Sequence, residues 1–143
     1  MAIKQLTVFV ENKRGTVVAV TELLSKHHIN LRALSIAETQ EFGILRLIVS
    51  NEELAENVLK KEGYLIKITD VVGVKIGDEP GKLSAALRVL DEKEINMEYL
   101  CAFMTRTEQD AYVVIRVENN AVAEATLKEA GFQLVTEQDV ESL

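Results

Sequence analysis

The chain has 143 residues, a formal net charge of −7 and a sequence pI near 4.9. Hydrophobic residues make up 48% and aromatics only 5%, with no tryptophan, so any core is aliphatic. An acidic surface without a Lys/Arg run repels phosphate backbones and anionic lipid, and no apolar run approaches the roughly 20 residues that span a bilayer, which argues against nucleic-acid and membrane partners.

Gln5 to Val10 alternates, with Leu6, Val8 and Val10 on one face, as a strand does. The polar stretch Glu11 to Gly15 follows. Val17, Val20 and Leu24 then recur at helical spacing, and the predicted helix stops near His28. Leu31 to Ala37 reads as a second strand, Glu38 to Phe42 as a polar turn, and Ile44 to Val49 as a buried central strand. Ser50 or Asn51 is placed to cap a helix carrying Leu54, Val58 and Leu59, with Glu52 and Glu53 favourable in its first turn. Gly63 suits its C-terminal end, and Tyr64 to Ile68 is a fourth strand.

The rhythm then repeats. Val71 to Ile76 is a strand, Gly77 to Gly81 a loop, and Leu83, Ala86, Leu87 and Leu90 the stripe of a helix. Met97 to Phe103 and Ala111 to Val117 are strands. Asn119 or Asn120 caps a helix through Ala130, Gly131 ends it, and Phe132 to Val135 closes the copy. Gly15 and Gly81 are 66 positions apart, as are Ile29-Asn30 and Ile95-Asn96, whereas Gly63-Tyr64 and Gly131-Phe132 are 68 apart. The two extra residues are expected in the polar stretch Thr105 to Gln109, where a loop absorbs them at little cost.

The order is βαββαβ, twice: an α+β chain of two ferredoxin-like modules, residues 1–69 and 70–143. Right-handed crossovers make each a four-stranded antiparallel sheet with both helices on one face. Modules of about 70 residues are marginal alone and gain by packing together or on a second chain. Thr69-Asp70 is too short for a flexible linker, so the two sheets are expected in a fixed relation, side by side. The start of the chain lacks the basic-then-apolar pattern of a signal peptide, and the single Cys101 forms no disulfide within the chain, so the expected compartment is the cytoplasm.

In each copy the glycine-ended loop leads into a helix, whose N-terminus offers unpaired N–H groups and a positive dipole end to an anion. Neither GxGxxG nor GxxxxGK[ST] is present, so a carboxylate suits these loops better than a phosphate. Glu11 and Asn12, and Asp78 and Glu79, are placed to receive an ammonium beside it. A site for both charges takes an amino acid. The competing reading is that Gly15 and Gly81 only permit a tight turn, that Asn30 and Asn96 adopt a left-handed or Asx-turn conformation after a helix, and that Lys13 and Arg14 are solvated.

These residues resemble the ACT domain, a regulatory module that binds amino acids. The second copy carries Asp78-Glu79-Pro80-Gly81-Lys82-Leu83 with Glu94-Ile95-Asn96-Met97, and the first Glu11-Asn12-Lys13-Arg14-Gly15 with His28-Ile29-Asn30-Leu31. The whole chain resembles the stand-alone tandem ACT proteins of bacteria, with Phe42 to Val49 and Glu98 to Phe103 as further signatures. The resemblance implies modules paired edge to edge, with the ligand in the interface. It carries ligand contact to Asn12, Lys13, Arg14 and Gly15, to Asp78, Glu79, Pro80 and Gly81, and to Asn30 and Asn96 beside them. Ser35 to Thr39 with Phe42-Gly43 is a further candidate lining. Arg14 stands where the family has proline: it clamps a carboxylate, or the first site is degenerate.

An enzyme is disfavoured. His27 and His28 are adjacent and point to different sides of a helix, and Cys101 lies between apolar neighbours in a predicted strand. No cofactor or metal is expected. An RNA-binding sheet would need aromatics on its central strands, and the first copy has none between Ile44 and Val49. The strongest rival is a regulatory or oligomerisation subunit of a partner enzyme with no ligand of its own. The expected partners are a free amino acid and either a second copy or an enzyme.

Overall fold

In the computed structural model, residues 3–38, 41–104 and 110–143 are described. The elements are β1 (Ile3–Glu11), α1 (Thr16–Lys26), β2 (Leu31–Glu38), β3 (Phe42–Val49), α2 (Glu52–Lys61), β4 (Leu65–Gly77), α3 (Lys82–Glu92), β5 (Met97–Ala102), β6 (Asp110–Val117), α4 (Asn120–Glu129), β7 (Gln133–Val135) and α5 (Glu137–Ser142). The expected insertion at 105–109 lies outside the described residues.

Each module builds its core as the alternation dictates. Leu6, Val8 and Val10 of β1 and Leu45, Leu47 and Val49 of β3 pack under Val20, Leu24, Ala55 and Leu59 of α1 and α2. Val72, Val74 and Ile76 of β4 and Val113, Ile115 and Val117 of β6 do the same under α3 and α4. The Asn51 and Asn119 side chains accept from Leu54 N and Val122 N and cap α2 and α4. The left-handed residue after α1 and α3 is not Asn30 or Asn96 but His28 (φ 58°) and Glu94 (φ 57°), two positions earlier. Ile29 N donates to the Leu24 carbonyl and His28 N to that of Ser25, the bonding of a Schellman turn.

The expected break at Thr69-Asp70 is absent: β4 runs through it as one strand of 13 residues. Its first half pairs with β1 as far as Ile3↔Val71, and its second half pairs with β6 from Val72↔Ile115. Asp70 is a poor strand former by composition. Here its carboxylate accepts from Lys4 Nζ at 2.5 Å, and its carbonyl accepts from Asn120 Nδ2 and Arg116 Nη1 at 2.9 and 3.3 Å. The strands form a single path, β2-β3-β1-β4-β6-β5, with β7 on β4.

The modules are therefore not merely side by side. The alternation along β4 keeps its parity through Asp70, so both helix layers lie outside and both open sheet faces lie inside. Those faces meet in a third core of Ile3, Ala33, Ile48, Val71, Phe103, Val114, Val135 and Val140. The ends of the path also touch: Ala33 bridges Phe103, and Met104 N donates to the Arg32 carbonyl at 2.7 Å. A polar knot sits in this seam. Gln5, 2% exposed, donates from Nε2 to the Tyr99 hydroxyl at 2.6 Å, and the Arg46 guanidinium lies 4.1 Å from the Tyr99 ring centre.

The helix α5 has no counterpart in the first copy. Thr136 and Asp139 form a capping box, and α5 places Val140 in the seam. Arg32 of β2 donates from Nε and Nη2 to the carbonyls of Val140 and Glu141, both at 2.9 Å, which ties the helix to the first module.

Candidate functional site

The two glycine loops are built alike. Gly15 (φ 93°) and Gly81 (φ 89°) are the residues before α1 and α3, both left-handed. A side chain is strained there, which is why glycine stands at both positions. Thr16 N donates to the Lys13 carbonyl and Lys82 N to that of Glu79. In the first loop Asn12 N donates to the Glu41 carbonyl, and Lys13 Nζ meets Glu11 at 3.0 Å.

The two helix pairs start differently. Neither α1 nor α3 has a side-chain cap or an acidic residue in its first turn. By contrast α2 has the Asn51 cap and Glu52 and Glu53, and α4 has the Asn119 cap. An asparagine side chain thus accepts one first-turn donor of α2 and one of α4, whereas at α1 and α3 Thr16 N and Lys82 N are met by loop carbonyls and no first-turn acid faces the positive dipole end.

The structure separates the asparagines from the loops. Asn30 follows α1 and Gly15 precedes it, so a helix of 11 residues, about 16 Å long at 1.5 Å per residue, stands between them. Asn96 stands likewise beyond α3. Asn30 lines a cavity of about 520 Å³ with Thr21, Ser25, His28 and Met104, and Asn96 one of about 430 Å³ with Glu94, Glu98 and Glu118. Neither cavity includes a glycine-loop residue. Of the further lining, Thr39 lies outside the described residues; Ser35 is half-buried and Phe42 exposed.

Among the described residues no cluster of His, Cys, Asp or Glu could hold a metal ion, and no helix is long and apolar enough to cross a membrane. Cys101 is half-buried against the seam, its Sγ 3.6 Å from the Leu34 carbonyl and 3.4 Å from that of Ala102. Sequence reasoning missed the cleft between α2 and α5, of about 180 Å³, lined by Lys4, Asn51, Glu52, Glu53, Glu137 and Glu141 among others. Nothing in the sequence signals it, because α5 brings Glu137, Val140 and Glu141 to its wall from the far end of the chain.

Burial pushes the Glu52 carboxyl up, Lys4 opposes this, and the crowding of Glu56, Glu137 and Glu53 adds to it. The folded protein then binds this proton more readily than the unfolded chain. Stability therefore falls as pH rises from the ordinary glutamate value through the raised one. Glu52→Gln should raise the melting temperature near neutral pH and leave it unchanged at acid pH, below both values. A fall at neutral pH would show that the charge at the start of α2 outweighs its burial.

A family model described as an ACT domain pair matches residues 1–143, the full length of the sequence. The chain belongs to the ACT domain pair family. ACT domains are regulatory modules that bind amino acids. A protein from Bacteroides thetaiotaomicron, BT0572, has a crystal structure that superposes with a TM-score of 0.93 at 40% identity, covering 100% of this chain and 98% of that one. The ligand-free regulatory subunit of aspartate kinase from Thermus thermophilus shares the fold, with a TM-score of 0.65 at 15% identity over 91% of this chain and 93% of that one. A chain from aspartokinase alpha and beta subunits matches at 0.60 and 18%, over 89% and 90%. No curated protein matches the sequence. Both ACT modules thus present their strand-to-helix loops in the same geometry, on a scaffold shared with regulatory subunits.

Proposed function

We propose that the chain is a non-catalytic regulatory protein that binds a free amino acid at the loops Asn12–Gly15 and Asp78–Gly81. The ligand carboxylate is held by the first-turn N–H groups of α1 and α3, and its ammonium by acidic and amide groups of the same loops. One observation carries this reading: the helices led by glycine lack a side-chain cap and an acid, while the other two long helices of the repeat are capped by asparagine. An amino acid carboxylate supplies the missing acceptor and the missing charge.

Asn30 and Asn96 stand a helix length away, so they reach a ligand at a glycine loop only from a neighbouring module. A ligand bridging two modules favours their association, which is the differential affinity that regulation requires. Arg14 in the first loop and Pro80 in the second make the two sites unequal.

Titration calorimetry with each of the twenty amino acids tests this. One or a few should bind, and at about 100 times its Kd such a ligand should add roughly 2.7 kcal/mol of stability. Silence across all twenty would end the reading.

A further inference from the structure

The seam between the modules covers only part of the open face of the first sheet. Ile3, Gln5, Thr7 and Ile48 are buried there, but the next residues along the strands are not. Register places Leu65, Phe9, Ile44 and Ala37 in one row across β4, β1, β3 and β2. Leu65 is 69% exposed and Phe9 37% exposed, and Phe42, next on the same face of β3, is 54% exposed.

The duplicate inside the chain shows what the same surface looks like when solvated. The corresponding row of the second sheet is Gln133, Lys75, Tyr112 and Phe103, with Gln133↔Lys75 and Lys75↔Tyr112 in register. Its exposed member, Gln133, and the half-buried Lys75 are polar, and Lys75 meets Asp110 at 3.2 Å, where the first sheet has Phe42. Its aromatic members are sheltered: Phe103 is buried edge to face on Tyr112, and Tyr112 shares a cleft with Leu143 at the end of α5. Among the described residues no equivalent of α5 covers the first row, whose exposed members are apolar.

We propose that the row Leu65–Phe9–Ile44–Ala37 is a self-association surface that seats a second copy of this chain. It continues, strand by strand, the face already used between the modules. It carries no charge itself, and its two flanks are of opposite sign. Lys67, opposite Thr7, lies on one side, and Glu11, opposite Phe42, on the other. A two-fold axis along the row sets each copy's Lys67 toward the other's Glu11, so one patch suffices for both partners. The exposed pair of Glu11 with Lys13 is weak and exchanges readily. The contact borders the loop Asn12–Gly15 and does not depend on a ligand there.

Sedimentation velocity of the full chain across the micromolar range, without amino acids, tests this. The parent should be dimeric. Phe9→Lys with Leu65→Gln, the residues of the second module, should raise the dimer dissociation constant roughly 30-fold or more, the loss that truncating a buried anchor carries, with an unchanged circular dichroism spectrum. Lys67→Glu should weaken the dimer, and Lys67→Glu with Glu11→Lys should restore it, which keeps the test open if the first variant misfolds. A parent that is monomeric throughout would overturn the proposal and leave the row to a foreign chain. A folded row variant that dimerises as tightly as the parent would overturn it too.

Discussion

Gly73→Val should destabilise the protein by about 3 kcal/mol and lower its Tm by roughly 10 °C, the upper end of what overpacking a core costs. A Cβ at Gly73 would lie 2.8 Å from Val135 Cβ and 3.3 Å from Ile3 Cδ1. Gly73 sits directly opposite Val135 on β7 and faces the seam between the modules. Cβ atoms of such pairs ordinarily stand about 4.5–5.5 Å apart, so β7 is seated against a bare backbone. The atom met is itself a Cβ, which no rotamer change moves. Val135→Ala therefore does not relieve the clash, and only Val135→Gly removes it. Thermal or urea denaturation of Gly73→Val and of Gly73→Val with Val135→Gly gives the answer. A single variant melting with the parent would show that β7 yields freely and that the seam is not tightly packed there.

Gly81→Val should reduce amino acid binding at the second loop roughly 100-fold or more, about 2.8 kcal/mol, while the protein still folds. Gly81 has φ +89° and nothing within 4 Å of an added Cβ, so the new side chain enters the space beside the α3 start, where the ligand is proposed to sit. The left-handed backbone adds its own cost of about 1–2 kcal/mol for a side chain. Gly131 is a matched control: φ +92°, nothing within 4 Å, but at the far end of α4. Gly131→Val should therefore lower Tm about as much and leave binding untouched. Loss of binding in both variants would trace the effect to general strain. Retention in both would remove this loop from the site.

Much of the architecture was legible because alternation and helical spacing are local. The stripe Leu6, Val8, Val10 and the asparagine caps of α2 and α4 stand where the pattern puts them. The glycine loops were legible because one position in each must have positive φ and uncapped donors follow it. That Asn30 and Asn96 follow α1 and α3 was legible as well; the cavities they share with Met104 and with Glu118 were not, because those lining residues are distant in the chain. Thr69-Asp70 read as the short junction between two strands, and only the pairing of β4 with β1 and then β6, with the contacts of Asp70 to Lys4, Arg116 and Asn120, makes one strand of both. α5 escaped because six residues with a single buried apolar anchor, Val140, carry no periodicity.

The sequence by itself determined the two βαββαβ units, their aliphatic cores and the pair of glycine-led helix starts, since each follows from neighbours a few positions apart. Only the tertiary structure decided that β4 is continuous, that the open faces close on each other around Val71, and that one face keeps an apolar row uncovered. Those outcomes depend on which strands meet across more than sixty residues of chain, as Gln5 meets Tyr99. Hydrophobic burial specifies such meetings by total fit, and a residue's own neighbours in the chain do not encode it.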